Sequence, residues 1–294
     1  MEKIEALLER INAKHSTSFR LKGRYAQGEN QGAYAVEDPS GLPFVLKWQA
    51  HPDMLSRLKR ARTVTDRLVT LKVPAPRYQL IDTFPEGTTY WLQTALSGSP
   101  PADLRLSLEH VRQLLDLNER QAGQALSPEQ DWSWYVRAVV FAGESGWTET
   151  LRRHSTTTRA LLPQIEEVTV GKEASVSRTT DLVHGDLAIS NVLVVGDVVT
   201  GTVDWDAAGC GDRALDLSKL LFYSYENGNG AIRAPLWERI VTISGRDTLV
   251  VLLVYNILAQ LDWDIRHHTQ AAVDARVAMA ELILADVRRL LGSS

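Results

Sequence analysis

The sequence predicts an α+β chain with a small strand-rich front part and a larger helical rear part. Short apolar and aromatic runs broken by Gly/Pro turns crowd the first third. After Ser97-Gly98-Ser99-Pro100-Pro101 the apolar residues recur mainly at helical spacing. The charge divides near the same place. Residues 1–96 carry 14 Lys/Arg against 10 Asp/Glu, a net of +4. Residues 97–294 carry 18 against 26, a net of −8. The expected division is 1–96, with a hinge near 93–98, and 97–294.

Each element has a local reason. Ile4, Leu7, Leu8 and Ile11 share one face of a helix over 2–14. Two runs, AYAVED and FVLKW, flank Pro39-Ser40-Gly41 and predict a hairpin. Met54, Leu58, Val64, Leu68 and Leu71 return to helical spacing over 53–71, and Pro74 and Pro76 end that helix. RYQLIDTF and TTYWLQTAL, joined by Pro-Glu-Gly, predict two more strands. Residues 107–126 and 132–167 read as mainly helical. A strand island follows in LVHGDL and NVLVVGDVVTGTVDW, and then helices over 213–226, 234–244, 247–266 and 270–291.

Composition limits the function classes. In 294 residues, 44% hydrophobic and 23% charged content describes a soluble globule and excludes general disorder. A net charge of −4 lacks the basic excess of a nucleic-acid binder. The single cysteine, Cys210, excludes an intrachain disulfide and paired-cysteine zinc sites. The start, MEKIEALLERINAKH, is charged and amphipathic, unlike a signal peptide. The longest apolar run, Leu249 to Tyr255, is too short to span a bilayer. These features lead to the expectation of a cytoplasmic protein without membrane or nucleic-acid partners, monomeric or homodimeric.

The chemistry concentrates in Leu182-Val183-His184-Gly185-Asp186-Leu187-Ala188-Ile189-Ser190-Asn191-Val192-Leu193. Asn191 follows Asp186 by five residues, and Val203-Asp204-Trp205-Asp206 follows at the end of another apolar strand. Phosphoryl transfer needs such a set. One carboxylate orients the attacking hydroxyl, while an amide oxygen and a second carboxylate hold magnesium against nucleotide phosphates. The Asp186–Asn191 spacing is that of a kinase catalytic loop.

HGDLAISNVL followed by VDWDAAGCGDRALDL resembles the aminoglycoside phosphotransferase and choline kinase-like family of small-molecule kinases. The resemblance extends over nearly the whole chain and implies a protein-kinase-like two-lobed fold, with a small antiparallel-sheet N-lobe and a larger helical C-lobe. It implies Asp186 as the catalytic Asp and Asn191 and Asp204 as magnesium ligands. His184 and Asp216 become supports of the loop. It implies Lys47, in Phe44-Val45-Leu46-Lys47-Trp48, as the phosphate-contacting lysine. Gly28 and Asn30, in the glycine-bearing loop 27–34, would approach the phosphates, and Gln93 and Ala95 the adenine. The expected cofactors are ATP, or GTP in its place, and Mg2+.

One element of the family pattern is missing. The helix after the Lys47 strand has no Glu, and the slot falls near Ala61. Either Asp53 or Asp66 substitutes, or phosphate alone holds Lys47. The run Arg57, Lys59, Arg60 and Arg62 reads as a solvated helix face.

For the acceptor, Asp131-Trp132-Ser133-Trp134-Tyr135 and Leu261-Asp262-Trp263-Asp264 offer carboxylates beside aromatic faces, and Asp206, Glu144 and Glu226 add charge. Such groups suit a cationic small molecule bearing a hydroxyl. Adjacent helical residues point apart, so His267 and His268 are not expected to share a metal ion. The expected function is O-phosphorylation of an amine-rich antibiotic, an aminoglycoside or cationic peptide, giving resistance. Alternatives are a metabolic kinase acting on choline, homoserine, a thioribose or a macrolide, and a nucleotide-binding pseudokinase. Protein-kinase activity is disfavoured because Gly209–Asp216 leads almost directly into a helix.

Overall fold

The computed structural model describes residues 2–25, 32–126, 130–226 and 228–292. The chain divides into two compact units. One is Met1–Gly98 with Thr200–Asp206, and the other is Ser99–Val199 with Ala207–Ser294.

The first unit is a small antiparallel sheet with two helices. Helix α1 (Glu2–His15) leads into β1 (Arg20–Arg24), β2 (Tyr34–Glu37) and β3 (Pro43–Gln49). Helix α2 (Met54–Thr70) then precedes β4 (Tyr78–Thr83) and β5 (Thr89–Thr94). The strand order is β1-β2-β3-β5-β4, with every neighbouring pair antiparallel. The expected hairpin across Pro39-Ser40-Gly41 is β2–β3. Strand alternation sorts the side chains. Phe44 and Leu46 of β3 and Tyr90 and Leu92 of β5 join Ile4, Leu7, Leu8 and Ile11 of α1 in one apolar core. Their neighbours Val45, Lys47, Trp91 and Gln93 therefore lie on the opposite sheet face, and Lys47 pairs in register with Trp91.

Thr200–Asp206 joins this unit although it is remote in sequence. The Thr202 N–H donates to the Pro74 carbonyl at 3.1 Å. Gly201 allows that approach, because a Cβ there would collide with Leu96.

The second unit is mainly helical. It contains α3 (Leu108–Glu119), α4 (Trp132–Ala142), α5 (Trp147–His154) and α6 (Thr156–Thr169), then β6 (Asp181–Val183) and β7 (Val192–Val195). The next strand, β8 (Val198–Thr202), pairs with β7, and β9 (Gly209–Gly211) pairs antiparallel with β6. Helices α7 (Ala214–Glu226), α8 (Arg233–His267) and α9 (Gln270–Gly292) close the unit. The expected helices 234–244 and 247–266 are successive parts of α8, separated at Gly245, whose φ of 85° and ψ of 169° leave helical geometry.

Leu249 to Leu258 of α8 form the centre of the large core of this unit, with α7 and α9 packed around them. The apolar run is thus part of a longer helical stretch, Gly230–His267, which is long and apolar enough by length and composition to cross a membrane. Its most apolar window is 61% buried in the protein, as in a core helix. The architecture is the protein-kinase-like fold, with a small antiparallel-sheet N-lobe and a larger helical C-lobe.

Candidate active site

In the second unit, β6 ends in His184-Gly185-Asp186, and α7 pins the turn. Asp216, in the first turn of α7, is buried. Its Oδ2 accepts the His184 N–H at 2.8 Å and its Oδ1 the Gly185 N–H at 3.0 Å. Gln121 Nε2 donates to Oδ2 at 3.2 Å. Burial pushes the Asp216 carboxyl up, against the pull of His184 and the two N–H groups. Gly185 has a φ of 82°, and a Cβ there would collide with the Trp132 indole. His184 is fully buried, and its Nδ1 accepts the Asp186 N–H at 3.3 Å. Asn191 Nδ2 donates to the Asp186 carbonyl at 2.9 Å, which closes the loop and leaves the amide oxygen outside this bond.

This wiring presents the Asp186 carboxylate with its side chain 51% exposed. The ammonium of Lys219 is bonded to Asp186 Oδ1. Two phenols stand nearby. Burial, followed by the charges of Tyr135 and Asp186, holds Tyr255 well above the ordinary tyrosine range. Burial is also the first cause at Tyr223, where Lys219 pulls down and Asp186 pushes up.

In the first unit, Lys47 on β3 is ion-paired with Asp204 Oδ1. Asp204 has a φ of 64°, an uncommon conformation for a residue with a Cβ. The expected alternatives for the lysine are thereby corrected. Neither Asp53 nor Asp66 pairs with it. Asp53 stands at the start of α2 without a side-chain capping bond, and Ala61 is fully buried. The carboxylate comes instead from the strand end at 204, brought into this unit by the Thr202–Pro74 bond.

Arg57 also departs from a solvated role. Its Nη2 donates to Asp206 Oδ2 at 2.6 Å. Asp206, expected to add charge for the acceptor, is therefore engaged by α2. Tyr78 is buried beside this group. Burial, then the charges of Asp206 and Asp204, holds its phenol well above the ordinary range.

The nucleotide-contact candidates divide. Gly28 and Asn30 lie outside the described residues. Gln93 is buried in β5 between β3 and β4. The N–H of Thr94 donates to Arg77 at 2.9 Å, and that of Ala95 to Pro43 at 3.2 Å. The Ala95 N–H is therefore bonded within the first unit.

The acidic acceptor candidates are mostly ion-paired or capping. Asp131 caps α4, accepting the Trp134 N–H at 2.9 Å. Asp262 is buried and receives Arg266 at 2.8 Å. Asp264 is corrected from a ligand contact to an internal anchor. It is 1% exposed and bonded to Arg276 at 2.7 Å, Gln260 at 3.0 Å and His268 at 3.0 Å. A buried carboxylate needs such partners, which use its acceptor capacity. Glu226 shares Arg276 at 3.0 Å and is more open. His267 stacks on Trp263, so the two histidines serve different partners.

Sequence reasoning missed Lys219, the engagement of Arg57, and the joining of Trp147 and Tyr255 to the expected Trp132 and Tyr135 in one aromatic group. Trp132, Tyr135, Trp147 and Tyr255 form a contiguous set of edge and tilted contacts. The signal for Lys219 was its position. It follows Asp216 by three residues, on the same helix face, in a helix otherwise built for burial.

Each unit contributes an oxygen donor of a type that hard cations take. Asp204 supplies a carboxylate and Asn191 an amide oxygen, the ligand types magnesium takes together with nucleotide phosphates.

Comparison with known proteins bears on the fold and the family. No curated protein matches the chain. Among solved structures, aminoglycoside phosphotransferase APH(4)-Ia is 17% identical, with 96% of this chain and 98% of that one covered and a TM-score of 0.73. A thermostable mutant of that enzyme, in ternary complex with ADP and hygromycin B, gives 17% identity, 94% and 97% coverage and a TM-score of 0.74. The GDP complex of aminoglycoside 2'-phosphotransferase-IIIa is 15% identical over 96% and 98%, with a TM-score of 0.63. An aminoglycoside phosphotransferase from Alicyclobacillus acidocaldarius subsp. acidocaldarius DSM 446 is 16% identical over 93% of each chain, with a TM-score of 0.59. At these identities the likeness shows the fold. The profile of the phosphotransferase enzyme family matches residues 24–247, more than half of the sequence, and the chain belongs to that family.

Proposed function

We propose that this protein transfers the γ-phosphoryl group of ATP to a hydroxyl of a small molecule, with magnesium. The observation that carries the reading is the Asp186 carboxylate. It is half-exposed at the end of a loop whose backbone is fixed by Asp216 and closed by Asn191. A carboxylate so held can orient the acceptor hydroxyl and take its proton. Asn191 and Asp204 would hold magnesium, which when bound neutralises charge on the phosphate oxygens. Lys47 would contact the phosphates. Its ammonium is ion-paired with Asp204. By resemblance, the loop around Gly28 and Asn30 would approach the phosphates, and Gln93 and Ala95 the base. GTP is the alternative donor, since structural neighbours include complexes with ADP and with GDP. Catalysis would rest on positioning and electrostatics.

For the acceptor we infer an amine-bearing antibiotic, with resistance as the cellular outcome in the cytoplasm. The −8 charge of residues 97–294 and the hygromycin B bound by a structural neighbour support this reading. A second reading has its own observation. Asp262, Asp264 and Glu226 are each paired with arginine, while Tyr255 stands within electrostatic reach of Asp186 in the cluster of four aromatic rings. An acceptor with a larger apolar body, such as a macrolide, fits that composition. Assaying transfer from labelled ATP to aminoglycosides, cationic peptides, macrolides and choline separates the two. Turnover only with amine-rich acceptors supports the first, and turnover only with macrolides the second. An absence of magnesium-dependent transfer to any hydroxyl compound overturns both.

A further inference from the structure

We propose that Lys219 is a positioning residue for Asp186. It holds Oδ1 of the catalytic carboxylate and keeps a fixed positive charge beside the point of transfer. The inference rests on the kinase reading above and adds a residue that the motif does not contain.

The argument starts from cost. Lysine is rarely buried unless paired, because its ammonium loses water. The Lys219 side chain is 21% exposed, whereas that of Asp186 is 51% exposed. The aspartate could be solvated without help. It is the lysine that gives up hydration on burial. The carboxylate of Asp186 offsets that loss, so the cation stays charged where it is buried.

The placement is also specific. Asp216 and Lys219 lie one turn apart on α7. Asp216 takes the backbone N–H groups of His184 and Gly185, and Lys219 takes the carboxylate of Asp186. One helix face thus fixes both the track of the loop and the orientation of its functional side chain. The surrounding groups fit a maintained cation. Tyr223, Asp186 and Asp216 act on Lys219 in the same direction, favouring the charged ammonium against burial. Asn256 and Ser218, deeper on α7 and α8, bond to one another and not to Lys219.

In the reaction the acceptor hydroxyl oxygen forms the new P–O bond. The bond from the γ-phosphorus to the β,γ-bridging oxygen breaks, its electron pair leaving on ADP. The hydroxyl proton passes to Asp186 Oδ2, the oxygen that Lys219 does not hold. With Oδ1 fixed, the carboxylate cannot rotate away from the hydroxyl. The ammonium also offsets the negative charge that gathers where the nucleophile meets the phosphoryl group.

The test compares Lys219→Met, Lys219→Arg and Lys219→Cys in the full chain. The probes are labelled ATP, magnesium and hygromycin B, with water as acceptor where none is added. Lys219→Met is expected to lower kcat about 100-fold, the size of losing one oriented charge-stabilising donor, with KM for ATP little changed. Lys219→Arg keeps the charge and should retain more of kcat than Lys219→Met. Lys219→Cys should regain activity after alkylation with 2-bromoethylamine, which restores an ammonium at nearly the original length, but not after alkylation with uncharged 1-bromopropane. A purely structural lysine would not respond to the charge of the alkyl group. Wild-type kcat in Lys219→Met, or equal recovery with both reagents, overturns the inference. No transfer or hydrolysis by the wild-type chain defeats the kinase reading itself, and this inference with it.

Discussion

Two of the protein's lysine–aspartate pairs, Lys47–Asp204 and Lys219–Asp186, differ in what each end was expected to do. In the first unit, Lys47 and Asp204 were both singled out by the sequence, but for separate tasks, and they meet. In the second unit, Asp186 was singled out and Lys219 was not. Each pair joins residues far apart in sequence or across a loop–helix junction. In each, the lysine is the less exposed partner, with side chains 21% exposed against 39% for Asp204 and 51% for Asp186. The difference lies in the backbone beneath the acid. Asp204 sits in a left-handed conformation with φ of 64°, whereas the turn to Asp186 is carried by Gly185 and anchored by a buried carboxylate. One acid is positioned by a strained residue, the other by a supported loop. In the proposed mechanism the strained acid is the metal ligand, and the supported one receives the proton.

Four substitutions sharpen this comparison. Asp186→Ala carries the largest expected effect. It should lower kcat by about 100- to 10,000-fold, the range of a positioned acid–base group. Nucleotide affinity by calorimetry should stay close to wild type, since Asp186 is assigned to the hydroxyl. Asp216→Ala comes next. Two buried N–H groups lose their acceptor, so urea unfolding should show a loss of about 3 kcal/mol, with activity falling as the loop loosens. A variant of wild-type stability would mean that the support of the second pair is unimportant.

Lys47→Met follows. The loss of one bond to a charged group predicts a fall of about tenfold to a hundredfold in kcat/KM for ATP. Here the effect should lie in KM at least as much as in kcat, opposite to the pattern expected at Lys219. The smallest effect belongs to Arg57→Ala. Its pair with Asp206 is about one-third exposed on each side, which limits the thermal cost to about 1 kcal/mol or less. A larger loss of activity than of stability would move Asp206 from scaffold to ligand contact.

Local sequence patterns carried most of the fold. The α1 face, the hairpin at 39–41 and the strands around Pro85-Glu86-Gly87 are matters of periodicity and turn chemistry, which short segments encode. The HGD turn and Asn191 were legible because their spacing is itself the geometry. What stayed hidden depends on long-range closure. Nothing near Lys47 announces that its carboxylate is 157 residues away. The return of Thr200–Asp206 to the first unit involves bonds to Pro74 and Ser97 and a glycine beneath Leu96, all invisible to a window-based reading. Asp264 looked like a ligand because its neighbours are Trp263 and Asp262. Only the helix rotation shows that it turns inward to Arg276. Lys219 could have been flagged, since a lone cation on an apolar helix one turn from a motif aspartate calls for a partner.

The central claim is that the Asp186 loop supports phosphate transfer to an alcohol. The most direct measurement follows the transferred phosphorus with phosphorus NMR. The wild-type chain and Asp186→Asn, which keeps the side-chain shape and removes the charge, are each incubated with ATP, magnesium and the acceptor panel. The account predicts a phosphate monoester signal on one acceptor class with the wild type and its near-absence with Asp186→Asn at equal nucleotide occupancy. Equal monoester formation by the two proteins would contradict it.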